Sequence, residues 1–201
     1  LKGSDFPDEE NLIDIRNVFL KKLGEKVEKL KSTNSQIIQH AYENQLGIKK
    51  IHECCLKTIE TRDIGALFKF LCLKATEILR VDVIKIVVGD NTFSNSNVQN
   101  CILKSNEEII KFAQKKGISK GKTVHLTNVV NDKKKEAEQL IAREESTKSE
   151  AIISLLVNSE FKGFLFFESV DESTFSVDQS TDYLEFFAQV ISKHLESLLY
   201  K

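Results

Sequence analysis

The sequence predicts an α+β domain, a central antiparallel sheet flanked by helices, preceded by a long coiled-coil-type helix. Three observations carry this. A 3-4 hydrophobic repeat runs without a slip through Leu20, Leu23, Val27, Leu30, Asn34, Ile37, Ala41, Asn44, Ile48, Ile51, Cys55 and Thr58. Downstream the period changes from helical to the β-branched run Val83–Val88, VIKIVV. Two further apolar runs, Ala151–Val157 and Gly163–Ser169, are joined by the five polar-rich residues 158–162, the pattern of a hairpin.

The repeat comes first in the chain. Residues from about Leu12 to Glu60 read as one helix, about 70 Å long at 1.5 Å per residue. A seam of that period buries itself against another helix. Homodimerisation through Leu23, Val27, Leu30, Asn34, Ile37, Ala41, Ile48 and Ile51 is therefore expected, with Asn34 as a polar position able to set register. Gly24 and Gly47 weaken the helix by about 1 kcal/mol each relative to Ala, which makes its persistence depend on packing. Residues 1–60 are accordingly the helical dimerisation segment and 61–201 the sheet domain.

Thr61-Arg62-Asp63 breaks the helix and offers a new N-cap. Ile64, Leu67, Phe68, Leu71, Cys72, Ala75, Ile78 and Leu79 then recur at helical spacing. VIKIVV follows as a buried strand closed by Gly89-Asp90-Asn91, with a second strand around Val98–Leu103. Ser105 with Glu108 forms a capping box for a helix that runs to Lys116 and that Gly117 stops. Lys122–Leu126 is a short strand, and the very polar stretch Asn131–Thr147 reads as a surface helix in a connecting excursion. The last helix starts near Asp178 and buries Leu184, Phe187, Ala188, Ile191, Leu195 and Leu198.

Composition bounds the function. Apolar content of 41% with 29% charged residues fits a globular chain, and a net charge of −1 supplies no field for nucleic acid or anionic lipid. No apolar run reaches the roughly 18 residues of a membrane span. The acidic start LKGSDFPDEENLI lacks the basic and apolar stretches of a signal peptide, so a cytoplasmic location is expected. The absence of Met, even at position 1, suggests a processed or truncated chain.

Motifs for chemistry are weak. Gly117-Ile118-Ser119-Lys120-Gly121-Lys122-Thr123 has three residues between its glycines where a P-loop needs four, and it follows a helix rather than a strand. No pair among His40, His52, His125 and His194 has zinc-helix spacing, and Cys54, Cys55, Cys72 and Cys101 show no CxxC. No GxSxG elbow occurs, and Lys133-Lys134-Lys135 runs straight into acidic residues. A non-enzymatic protein is expected, with the cofactor unknown. In Phe164-Leu165-Phe166-Phe167, alternation points Phe164 and Phe166 to one side and Leu165 and Phe167 to the other, so this strand is covered on both faces.

Several strings in order carry a resemblance: LKSTNSQIIQHAYENQ, IHECCLKTIETRDIGALFKFL, VDVIKIVV, SEAIISLL, GFLFFESVDESTF and DQSTDYLEFFAQVISKHLE. Over about Glu25–Leu199 the chain resembles the bacterial family called domain of unknown function 484, which joins a long N-terminal helix to a GAF-like domain. The resemblance implies a GAF-like sheet with its first and last helices on one face, a dimer through that helical face, and a ligand pocket on the other. It implies a regulatory or sensor module, with no established reaction. The Asn-Lys-Phe-Asp-Glu signature of cyclic-nucleotide-binding GAF domains does not occur. Pocket residues expected from strand alternation and nearness to the excursion are Cys101, Phe112, His125, Phe167 and Ser169. Two rival readings are a structural adaptor with a filled pocket and a thiol redox sensor.

Overall fold

The computed structural model describes residues 15–89, 93, 98–118, 123–129, 140–176 and 181–200. The chain divides into two compact units, Leu1–Leu46 and Gly47–Lys201. Helix α1, Ile15–Ile59, belongs to both. In the first unit its apolar side chains lie open: Leu30 is 68% exposed, Ile37 60%, Leu23 47% and Val27 42%. Its polar side chains form surface pairs such as Gln39 with Glu43 and Lys31 with Glu28.

The last turns of α1 belong with the sheet domain, which moves the boundary from the expected 60/61 to 46/47. Ile51, Cys54 and Thr58 are buried there. Ile51 therefore leaves the expected dimer seam, since its own domain covers it, and Ile48 is already half-buried.

Asp63 caps the next helix as expected, its carboxylate accepting from the Ala66 N–H at 2.7 Å. That helix has three parts: α2, Ile64–Lys69, a π-helical turn Phe70–Lys74, and α3, Ala75–Leu79. The widened turn lets Leu67, Phe68, Leu71, Cys72 and Ala75 all stay buried. Arg80 ends it in the left-handed region, at φ 58°.

The strands are β1 (Val83–Gly89), β2 (Cys101–Lys104), β3 (Val124–Asn128), β4 (Ser149–Val157) and β5 (Glu160–Ser169), and they form one sheet in the order β2-β1-β5-β4-β3. Four of them pair antiparallel; the edge strand β2 runs parallel to β1, so the sheet is mixed. The β4–β5 hairpin turns on Asn158 and Ser159 alone, at φ 50° and 61°, the doubly positive φ of a tight two-residue turn.

Helix α4, Asn106–Lys115, opens on the full reciprocal capping box of Ser105 and Glu108 and stops at Gly117, φ 64°. Helix α5, Asp182–Leu199, buries Phe187, Ala188, Ile191 and Leu195. The expected surface helix falls partly on residues 131–139, outside the described residues. Residues 140–148 are not helical but an irregular strap leading into β4.

Core packs on both faces of the sheet, as the alternation in β5 requires. On the first face Ile84, Ile86, Leu165, Phe167 and Ile153 meet the end of α1, α2 and α5. On the second, Val87, Ile152, Phe164 and Phe166 meet Ile109 and Phe112 of α4 and Ile141 of the strap.

Gly163 of β5 leaves no room for a side chain against β1. A Cβ there would run into the Val87 carbonyl oxygen and stand 3.0 Å from Val88 Cγ1. Backbone cannot rotate away as a side chain can. Gly163→Ala is expected to cost about 1–3 kcal/mol, read as a lower urea midpoint at unchanged m-value; an unchanged midpoint would contradict this pairing.

Candidate functional site

The second face is apolar at one end and charged at the other. Lys85 on β1, Glu150 on β4 and Glu168 on β5 interrupt otherwise apolar strands, and their positions put all three on the face that carries Val87, Ile152 and Phe166. All three are buried, Lys85 at 6%, Glu150 at 2% and Glu168 at 1% exposure. A buried charge needs a partner, and here the partners are each other and the strap.

Lys85 Nζ donates to Glu168 Oε1 at 2.8 Å and to the Ala142 carbonyl at 3.0 Å, and lies 3.0 Å from Glu144 Oε1. Glu168 Oε2 accepts from the Glu144 N–H at 3.0 Å and the Thr147 hydroxyl at 2.8 Å. Arg143 grips Glu150 with two bonds, Nε to Oε2 at 3.0 Å and Nη2 to Oε1 at 2.8 Å. Burial works to lower the Lys85 pKa. The hydrogen bonds and charges of Glu168 and Glu144 outweigh it and hold the ammonium above its ordinary value.

Where the charged end meets the apolar end there is a cavity of about 10 Å³, bounded by Phe112, Lys116, Leu140, Ile141, Arg143, Glu150, Ile152 and Phe166. That is room for about one water molecule. Phe112 is packed against Phe164 and Phe166, with ring centroids 5.2 and 5.8 Å away. Thr127, paired with Glu150 across β3–β4, has a buried hydroxyl with no hydrogen-bond partner among the described residues. A larger groove of about 290 Å³ lies between α5 and the far end of β4, with Ser154, Leu156, Ser192 and Lys193 among its walls.

The five expected pocket residues do not line one cavity. Phe112 is on the second face, and the register places half-buried His125 opposite Ile152 on the same side. Cys101 and Phe167 pack into the first-face core instead. Ser169 follows Phe167 on that side and is tied to Asp82 at 3.0 Å and Thr174 at 3.1 Å. Lys85, Arg143, Glu150 and Glu168 were missed. For the three on strands the signal was present: isolated charges inside strands apolar on both sides must be paired when the strand is covered twice.

Cys54, Cys55 and Cys72 are free thiols. Burial pushes Cys54 and Cys72 up to about 12, with smaller contributions from Cys55 and Glu53 at the first and Cys101 at the second; burial raises Cys55 as well. Protonated thiols are poor nucleophiles, so Ellman's reagent at pH 8 is expected to leave Cys54 and Cys72 unlabelled until the chain unfolds. Because the unfolded thiols ionise from their ordinary 9.0 while the folded ones hold their protons, stability is expected to fall as pH rises from 9 toward about 12. Rapid native labelling of all four would reverse this reading.

A family described as "Protein of unknown function, DUF484" matches residues 7–199, nearly the whole chain. The chain belongs to the DUF484 family. No curated protein sequence matches it. Among solved structures, the GAF domain of an Acinetobacter phosphoenolpyruvate-protein phosphotransferase superposes with TM-score 0.53 at 14% identity, over 74% of this chain and 92% of that one. This DUF484 chain therefore has a GAF-like fold. Weaker matches are fRMsr of Staphylococcus aureus, in complex with its substrate (TM-score 0.45, 12% identity, 72% of this chain and 95% of that one), and the bacteriophytochrome RpBphP3 from R. palustris (TM-score 0.49, 12% identity, 75% of this chain and 37% of that one). Among the described residues no helix is long and apolar enough to cross a membrane, and no cluster of His, Cys, Asp and Glu is placed to hold a metal ion.

Proposed function

We propose that this chain is a non-enzymatic regulatory module that works as a homodimer through α1 and senses a small molecule on the second face of its sheet. The observation that carries it is the run of exposed apolar side chains at Leu20, Leu23, Val27, Leu30 and Ile37, on a helical unit separate from a domain with cores of its own. A helix of that kind needs a partner to persist, and a second copy supplies the same seam. The strap over the second face is the element a ligand would shift: its ties to Lys85, Glu150 and Glu168 give it one closed arrangement.

A structural adaptor is the second reading, and the small volume beside Phe112 and Phe166 favours it. Native mass spectrometry separates the two. A dimer carrying mass that denaturation releases supports the sensor; a bare dimer moves the reading to the adaptor; a monomer at micromolar concentration sinks self-association. Leu23→Glu with Leu30→Glu is expected to convert the dimer to a monomer by sedimentation and leave the thermal transition of the sheet domain in place. A double variant that stays dimeric would place the interface elsewhere.

A further inference from the structure

We propose that Glu150 is a recognition site for a guanidinium or amidinium group, held in this chain by its own Arg143 and open to a small guanidine that takes its place. The inference rests on the reading of the second face as the ligand face, and it names the chemistry of that ligand.

The ties that hold the strap differ in what they leave behind. If 140–148 lifts, Glu168 loses the Glu144 N–H and the Thr147 hydroxyl but keeps Lys85, because both belong to the sheet. Glu150 has no such partner within the sheet, although Lys116, at the end of α4, borders the same cavity. Both its oxygens are taken by Arg143, which comes from the strap. Of the buried charges on the sheet face, Lys85 stands against Glu150 and Glu168, and Lys85 is bonded to Glu168 rather than to Glu150. An open strap is therefore disfavoured by one carboxylate stripped of its guanidinium fork, and a ligand that supplies such a fork there stabilises the open form.

Geometry narrows the cation. Arg143 meets the two oxygens with two nitrogens of one planar group, at 3.0 and 2.8 Å. A guanidinium or amidinium reproduces that fork, and a point-like ammonium does not. The surroundings suit the rest of such a ligand. Phe112, Ile152 and Phe166 give an apolar wall beside the carboxylate, and the strap residues Ile141 and Arg143 close the cavity between them. The buried Thr127 hydroxyl, on the same face and paired with Glu150 across the strands, lacks a partner among the described residues, one that a ligand's remaining N–H or a bound water would provide.

The test uses the full chain and methylguanidine as probe, with methylammonium as control. Arg143 is tethered, so it competes from a high effective concentration in the wild type. Arg143→Lys keeps a cation on Glu150, and hence the fold, but removes the fork. Calorimetric titration is expected to show methylguanidine binding Arg143→Lys at least tenfold more tightly than wild type, and at least tenfold more tightly than methylammonium. Adding Glu150→Gln is expected to abolish that binding. Equal affinity for the two probes, or binding that survives Glu150→Gln, overturns the proposal. Hydrogen exchange at 140–148 separates this from the underlying reading. A strap that opens well below global unfolding upholds a sensing face even if guanidines fail, whereas a strap that exchanges only on global unfolding removes the sensing face itself.

Discussion

Replacing Lys85 by Ala is expected to remove about 3–5 kcal/mol of folding stability, a large share of what a domain of this size has. The change takes the ammonium that the sheet holds against Glu168, whose carboxylate is 1% exposed, and leaves the Ala142 carbonyl without its Lys85 donor. The Glu144 N–H and the Thr147 hydroxyl still reach Glu168, but neutral donors do not replace an ammonium. Urea unfolding of single and double variants separates the pair from its surroundings. Lys85→Met with Glu168→Leu should recover much of the loss, because an apolar pair of similar volume is often no worse than a buried ion pair. Recovery should stop short of wild type by about 1–3 kcal/mol, since the Glu144 N–H and the Thr147 hydroxyl then lose their acceptor. The folded Lys85 pKa is raised, so the ammonium's contribution is complete below the ordinary 10.5 and is lost only above it; the penalty of Lys85→Ala should be flat between pH 6 and 9. A single-variant loss under about 1 kcal/mol would mean that the pair is solvated.

Local signals proved legible where the chemistry is local. Asp63 and Ser105 cap their helices because a short side-chain acceptor beside free N–H groups has little else to do. VIKIVV and the two-sided β5 follow from side-chain alternation, which is a property of one strand. Relations between strands were harder. Cys101 and Ile102 differ by one residue and point to opposite cores, so without the register of β2 on β1 the side of Cys101 was undetermined. The same holds for Phe167 and Ser169, whose alternation was right relative to Phe164 but whose side was assigned to the pocket. The seam continues through Ile51 at unbroken spacing, yet periodicity does not say which partner covers it. In the first unit Leu23, Val27, Leu30 and Ile37 are exposed; beyond Gly47 the sheet domain covers Ile51. Arg143 was hidden because its stretch had the composition of a solvated helix, and only the buried Glu150 gives its guanidinium a place inside.

The two faces of β5 should respond differently to the same deletion. Phe164→Ala and Phe167→Ala each remove a fully buried ring, and each is expected to cost about 3–5 kcal/mol. What differs is the layer that loses it. Among the described residues the second-face core has nine buried members, the first-face core twenty-four, so one ring is a far larger share of the former. Phe164 also joins Phe112, Phe161 and Phe166 within one aromatic group, at centroid distances of 5.2, 6.2 and 6.3 Å. Its loss should loosen α4 and the strap before the sheet, because they are held by that small cluster and a few buried charges. Hydrogen exchange is expected to show α4 and 140–148 opening at lower free energy than β4 and β5 in Phe164→Ala, while Phe167→Ala lowers protection throughout the domain. If the two variants gave the same exchange pattern, the second face would be one cooperative unit with the first. A strap unable to open separately could not be moved by a ligand, and the adaptor reading would then stand.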